Sequence, residues 1–553
     1  MTSCLMRRFG RICCGILVVA TIGLMGWIFQ IGAQKNLVGT INGNEWGRYM
    51  HAIAAALTKA KTGVGGFVAD SPISVELLQG GLTDNERISG ELGFPFPSNL
   101  ANAALLESAL QRAQALRIER VRPYLVGGDD VGLVTFSRMA FATFGTHVKS
   151  LYYAYFLLLS IAIILFISRF YAQIPALVAL VLVIAALFVM TCSDLVNVER
   201  SHWPFVGEHG SDLKDPRFFG TIATIPALHL LMTWLRRDRL GASDYVAIGA
   251  QAFILAFAFH VRTPVAWVAM ALAASWLVLF WQRRGDPGAT LREAVDWRST
   301  ISVYPLAVFS AAIAGTSLAV AASLHPLYAQ ERAYAYHPVS PGLTYSLQFH
   351  PQWEAKYAAS VNYTTVDATY TEIAKIHIGR LPADARAQHL TKDGWPTREA
   401  IARFSRERFL EILREDPAFV AETFLIYKPG AIAESIWLFH SSALKAVTAL
   451  QWMGLLATVV LAAAILAGIG GEVVLLRLFP IAVAFSIVSL LPNLISPATQ
   501  HHMVDHFVWS ITALLSILVI GAAYLSRKAA RRVANVGSSV ASPPPTSPPA
   551  PTP

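Results

Sequence analysis

Residues 151–167 read LYYAYFLLLSIAIILFI, seventeen positions without a charge, a glycine or a proline, closed by Ser168 and Arg169. A helix needs about 20 apolar residues to cross the hydrocarbon core, and a basic residue at its end marks the cytoplasmic side. This stretch is therefore a membrane span, and the rest of the chain is tested against it. Comparable apolar runs are Ile12 to Ile31, Pro175 to Met190, Phe219 to Leu235, Tyr245 to Phe259, Pro264 to Trp281, Ile301 to Leu324, Val447 to Ile469, Val473 to Leu491 and Phe507 to Leu525. With residues 151–167 they make ten spans.

Composition agrees. Of 553 residues, 54% are hydrophobic and only 14% charged, so a charged, solvated surface cannot be built around the whole chain. The net charge of +9 would raise nucleic acid as a partner in a soluble protein. Here the basic residues gather at the ends of apolar runs, and no nucleic-acid partner is expected. Cys4, Cys13, Cys14 and Cys192 show no CxxC or Cys/His spacing, so neither a disulfide scaffold nor a zinc site is indicated. Arg7, Arg8 and Arg11 precede the first run, whose length favours a retained signal anchor over a cleaved signal peptide.

Orientation follows from charge. With the N-terminus inside, Arg169, the Arg236, Arg237 and Arg239 cluster, the Arg283, Arg284, Arg292 and Arg298 group, and Arg527, Lys528, Arg531 and Arg532 all fall on the cytoplasmic side. An even number of spans with both termini cytoplasmic is the expected topology. The expected fold class is all-α integral membrane, with helices along the membrane in a long first external loop, 32–150, and a small external domain, 325–446, before the last three helices. The units are a transmembrane module over 1–324, the external segment, C-terminal helices over 447–526 and a tail over 527–553, whose end SSVASPPPTSPPAPTP cannot bury a core.

Both long connections carry helical patterns. Residues 46–59 have helical spacing, and Ser98 can cap a helix through Val121 with Leu105, Leu106, Ala109, Leu110, Ala113 and Leu116 on one stripe. Glu107, Arg112, Arg117 and Arg120 fill its polar face. Such a helix lies along the membrane surface or packs on another helix. The second connection is aromatic and proline-rich at first, then helical through Thr397 to Glu415 and Ala418 to Tyr427.

Ionisable residues are nearly absent from the interiors of the spans and crowd their outer ends. A pump or coupled transporter needs charges within the bilayer, so this distribution favours a site at the outer face. In NGNEWGRYMHAIAAAL, residues 42–57, Glu45 and Tyr49 stand at the start of a helix just beyond the first span. A carboxylate there is kept ionised, as a general base requires, although a simple helix-start charge reads the same way.

In VGGDDVGLVTFSRMAFATFGTHVKSLYY, residues 126–153, Asp129 and Asp130 can hold a divalent cation, divide acid and base roles, or cap the helix beginning near Val131. Arg262, in AFAFHVRTPVAW, can grip a phosphate at headgroup level or snorkel to the interface. In PNLISPATQHHMVDHFVW, His501, His502, Asp505 and His506 gather at the mouth of the last helix, with His502 and His506 spaced to share a face. They read as phosphate or metal ligands, or as ordinary interfacial histidines. The stretch from Asp194 to Arg217, including Glu199, His202, His209 and Asp212, lacks metal spacing and reads as a solvated loop.

This order of features resembles the polytopic C-type glycosyltransferases that use polyprenyl-phosphate sugars, including protein mannosyltransferases and the aminoarabinose and galacturonic acid transferases of lipid A. The stretch NEWGRYMHAIAAAL is similar to their acidic-x-x-x-Tyr segment after helix one, with Glu45 where aspartate is usual. The segment LVTFSRMAFATFGTHVKSLYY resembles their interfacial helix, Phe-Gly break and second span, and VRTP their Arg-bearing external turn. GGDDVG stands where their His-Pro-Pro is expected.

The resemblance implies a bacterial-type inner membrane enzyme of the cell envelope, taking a polyprenyl-phosphate sugar to an external lipid, glycan or protein acceptor with inversion. Glu45, Asp129 or Asp130 would be the base. Arg262, with Tyr49, His502, His506 or a divalent cation, would receive the lipid phosphate. The alternatives are a non-catalytic assembly protein and a lipid or polysaccharide transporter.

Overall fold

The computed structural model describes chiefly residues 131–147, 149–171, 222–235, 239–261, 265–282, 287–299, 301–323, 339–357, 366–390 and 394–432, with short pieces inside 12–26, 56–61, 110–115, 173–184 and 480–488. The described residues are helical, and their only pairing of extended backbone is an isolated bridge between Leu390 and Pro396. The first set of helices is α1 (Val131–Phe144), α2 (Lys149–Phe170), α3 (Thr224–Leu235), α4 (Ala242–Val261), α5 (Ala266–Gln282), α6 (Pro287–Val295) and α7 (Tyr304–Ser323). Two of these, α2 and α4, are long and apolar enough to cross a membrane.

The α2 helix runs unbroken because residues 150–168 contain neither Gly nor Pro, and its mean composition supplies apolar contact on every side. Its start is fixed by a break in the chain. Gly145, at φ +85°, follows the last residue of α1, and its N–H closes on the Phe141 carbonyl at 3.0 Å. Only glycine adopts that conformation without a Cβ penalty. Ser150 Oγ then donates to the Gly145 carbonyl at 2.6 Å, tying the first turn of α2 to the break.

Helix α4 is the hub, packing against α1, α2, α3 and α7. Its first turn closes when Gly241 N–H donates to Asp244 Oδ2 at 2.8 Å, the reciprocal half of a capping box. The other oxygen, Oδ1, accepts from Arg169 Nη2 at 2.6 Å and Nε at 3.2 Å, so the end of α2 is clamped to the beginning of α4. The beginning of α7 lies at this same end. Tyr245 donates to the Trp297 carbonyl at 2.5 Å and Leu240 N–H to the Arg298 carbonyl at 2.8 Å. Helices α2 and α4 therefore run oppositely, α4 and α7 in the same direction, and Arg169, Arg239 and Arg298 share one end of the bundle.

Midway along, Gln251 and His229 interrupt the apolar interior. Gln251 is fully buried and donates from Nε2 to the Ala162 carbonyl at 2.8 Å, joining α4 to α2. His229 lies 3.4 Å away through Nδ1, with its ring edge-on to Phe166 and Phe170.

The second set comprises α8 (Val339–Ser346), α9 (Trp353–Lys356), α10 (Val366–Arg380), α11 (Ala383–Arg386), α12 (Arg398–Glu415) and α13 (Pro417–Glu422), with a 3-10 turn at Leu347–Phe349 and a π-helical turn at Thr423–Tyr427. Thr397 caps α12 by accepting from Ala400 N–H, and Asp416 caps α13 by accepting from Phe419 N–H. One core gathers Leu347, Trp353, Ile412, Phe419 and Val420, and a second gathers Ala374, Ile378, Ala400 and Phe404. The helices anticipated over 397–415 and 418–427 are present with nearly those limits. The wider π turn inside the second was not anticipated.

Before α1, the residues described within 56–61 and 110–115 are helical. Leu110 is buried and Arg112 exposed, as their places on the two faces require. Lys61 Nζ donates to the Gln114 carbonyl, joining the two pieces.

Candidate functional site

Glu45, Tyr49, Asp129, Asp130, Arg262, His502 and His506 lie outside the described residues, as do His501 and Asp505. The segments that lead into three of them are described. Helix α1 begins at Val131, directly after Asp130, and α4 ends at Val261, directly before Arg262. These two helix ends meet. A Cβ placed on Gly132 would fall well inside van der Waals contact with the carbonyl carbon and oxygen of His260 and the nitrogen of Val261. Glycine at position 132 thus lets the start of α1 rest on the last peptide of α4.

That end of α4 is opposite the Arg169–Asp244 clamp, which sits at its first turn. His260 stands at the junction, its ring 5.1 Å from that of Phe259. Its Nε2 is buried without a hydrogen-bond partner among the described residues. The amide-rich first turn of α1 and the last carbonyls of α4 converge here, so the junction offers both donors and acceptors to a polar group. Farther along α1, Arg138 acts on Lys59, whose ammonium pKa is lowered by burial and then by the charge of Arg138.

A second polar cluster lies in the second set of helices and was not anticipated from sequence. Lys428 is fully buried and donates to Ser346 Oγ. The Ser346 hydroxyl in turn donates to the Gly342 carbonyl at 2.5 Å. The ammonium stands 5.6 Å from the Phe424 ring and 5.9 Å from the Phe349 ring. Burial among these groups pushes the Lys428 pKa down to about 7.

Nearby, His350 Nδ1 accepts from Gln352 N–H at 3.1 Å, which leaves Nε2 to donate to Glu422 at 3.2 Å. The ring packs on Phe419 and Tyr427. With Ser346 and Lys428 both sealed from solvent, this cluster orders the segment and presents no reacting atom at the surface. In sequence Lys428 stands between apolar neighbours, in FLIYKPGAI.

Among the described residues, no three His, Cys, Asp or Glu side chains come together in a way that would hold a metal ion. No model of a protein family matches the chain, and neither a curated protein nor a solved structure does.

Proposed function

We propose that the chain crosses a membrane ten times with both termini cytoplasmic, and moves a sugar from a polyprenyl phosphate to an acceptor on the outer face. The observation that carries this reading is the contact of Gly132 with the His260–Val261 peptide. Covalent geometry keeps Asp130 within about 8 Å of Gly132, and Arg262 within about 4 Å of Val261, measured between Cα atoms. This supports the reading in which the acidic pair and the arginine belong to one end of the bundle. Gly145, in the left-handed region between α1 and α2, supports the reading of a Phe-Gly break there.

Helix directions support the topology. The end of α2 and the starts of α4 and α7 share one end with Arg169, Arg239 and Arg298, as expected of a cytoplasmic face. The junction of α1 with α4 is then external.

In the reaction, Glu45, Asp129 or Asp130 takes the proton of the acceptor hydroxyl while its oxygen attacks the anomeric carbon. The bond from that carbon to the phosphate oxygen breaks, and the lipid phosphate leaves with the electron pair. Arg262, assisted by Tyr49, His502 and His506, offsets the charge that develops on the phosphate. Because the donor arrives within the bilayer, no nucleotide-binding domain is needed.

The test replaces Glu45, Asp129, Asp130 and Arg262 singly with alanine and measures sugar transfer from membrane lipid donors. Loss of the base lowers the rate by about 10²–10⁴. Unchanged transfer in all three carboxylate variants removes the proposed base. Mass spectrometry of lipids and surface glycans from cells lacking the protein identifies sugar and acceptor.

A further inference from the structure

The helix that closes the external segment is turned inside out where its π turn falls. Phe419, Val420 and Thr423 are buried on one face, and a regular α-helix would continue that face through Ile426. Instead the Lys428 N–H reaches back to the Thr423 carbonyl, five residues away, and the buried face resumes at Lys428 and Ile432. The one cation of this stretch points inward, while Leu425 and Ile426 point outward, 76% and 60% exposed.

No other large apolar side chain among the described residues is as open as Leu425. Val246 at 73% and Ile164 at 61%, on the two helices able to cross a membrane, are also open, as are Leu318 at 71% in α7 and Leu291 and Val295 at 62% in α6. From Thr423 to Ile432 the only charged residue is the buried Lys428, and the half-exposed Glu422 just before this stretch is paired with His350 Nε2 at 3.2 Å. The length of the chain that follows permits this face to reach a bilayer. Ile432 stands 15 residues before the apolar run at Val447, a reach of about 22 Å if helical and at most about 50 Å if extended.

We propose that Leu425 and Ile426 insert into the outer leaflet, so that the external segment lies on the membrane surface instead of standing clear of it. The proposal rests on the membrane-spanning reading above. A π turn is the means, because the extra residue brings two consecutive apolar side chains to one side and hides the lysine.

The test uses the full chain with Cys4, Cys13, Cys14 and Cys192 replaced by alanine and a single environment-sensitive fluorophore on a new cysteine. It is reconstituted in phosphatidylethanolamine and phosphatidylglycerol vesicles carrying nitroxide-labelled lipids. Probes on Leu425→Cys and Ile426→Cys lose most of their emission to a nitroxide near the headgroup, and less to one deep in the acyl chains. A probe on Asp384→Cys, exposed in α11, keeps its emission with both, and one on Ile164→Cys in α2 loses it to the deep nitroxide.

Quenching at Ile164 without quenching at Leu425 or Ile426 overturns the insertion and leaves the membrane reading standing. No quenching at Ile164 overturns the membrane reading, and the insertion with it. Probes at 425 and 426 that are shielded from aqueous iodide but blind to both nitroxides show protein covering this face, which also overturns the proposal.

Discussion

Gly132 rests against the carbonyl of His260 with no space for a side chain between them, so the start of α1 and the end of α4 touch backbone to backbone. Adding a methyl group there forces one helix away from the other. Overpacking costs about 1–3 kcal/mol, and the clash with rigid peptide atoms places Gly132→Ala at the upper end. Gly315 in α7 has no atom within 4 Å of the corresponding position. Gly315→Ala should be stabilising by about 0.5–1 kcal/mol through helix propensity alone. Thermal melts of the two variants in detergent should move in opposite directions. Equal behaviour would disprove the close contact.

The Arg169–Asp244 pair gives a second test. Asp244 is 5% exposed, so Arg169→Met strands a buried carboxylate, whereas replacing both partners removes the stranded charge as well. Breaking one side of such a pair costs about 3 kcal/mol, and the double replacement Arg169→Met with Asp244→Asn recovers part of it. A double-mutant cycle on thermal stability measures the coupling. Strict additivity would mean that the two residues do not interact.

Lys428 makes the second set of helices sensitive to pH. Its folded pKa of about 7 lies below the 10.5 of an unperturbed lysine, so the unfolded chain binds the extra proton between those values. Stability therefore rises as pH increases from about 7 toward 10.5, and is flat with respect to this group below about 7, where both states are protonated. Lys428→Met should raise the melting point at pH 7 and flatten the rise above it. The effect amounts to a few kcal/mol at about 1.4 kcal/mol per pH unit. An unchanged slope would exclude Lys428 as its source.

Asp416 acts in the opposite pH range. Its carboxylate is held below the usual range first by Lys356, which donates to it at 2.8 Å, and then by the Phe419 N–H. Its contribution is present above the ordinary carboxylate pKa and is lost as pH falls through the lowered folded value. Asp416→Asn should retain the cap of α13 and abolish this acid sensitivity, while Asp416→Ala removes both. Circular dichroism between pH 2 and 6 separates the three proteins. For comparison, Thr397→Ala should cost about 1 kcal/mol at any pH, because its cap on α12 carries no charge.

Apolar length and charge placement made α2 and α4 legible, because seventeen uncharged residues closed by Arg169 satisfy both requirements of a span. The Gly145 break was equally readable, since a Phe-Gly step between two helical patterns calls for a positive φ. Other features depend on contacts between residues far apart in the chain. Gly132 lies in a GGDDVG stretch that resembles any flexible turn until α4 is set against it. Lys428 follows an apolar run, and helical periodicity places it outside. The π turn overrules that periodicity by one residue, which no pattern with a fixed period detects.

The clamp between α2 and α4 also imposes an order on synthesis. Arg169 precedes its partner by 75 positions, so at about 5–20 residues per second the ribosome delivers Asp244 roughly 4–15 s after the arginine. Throughout that interval the end of α2 must keep its guanidinium solvated. Helix α3 emerges in the meantime and can pack on α2 before α4 arrives to capture the arginine. A charge that fastens the finished bundle must therefore stay solvated until the helix that captures it has been made.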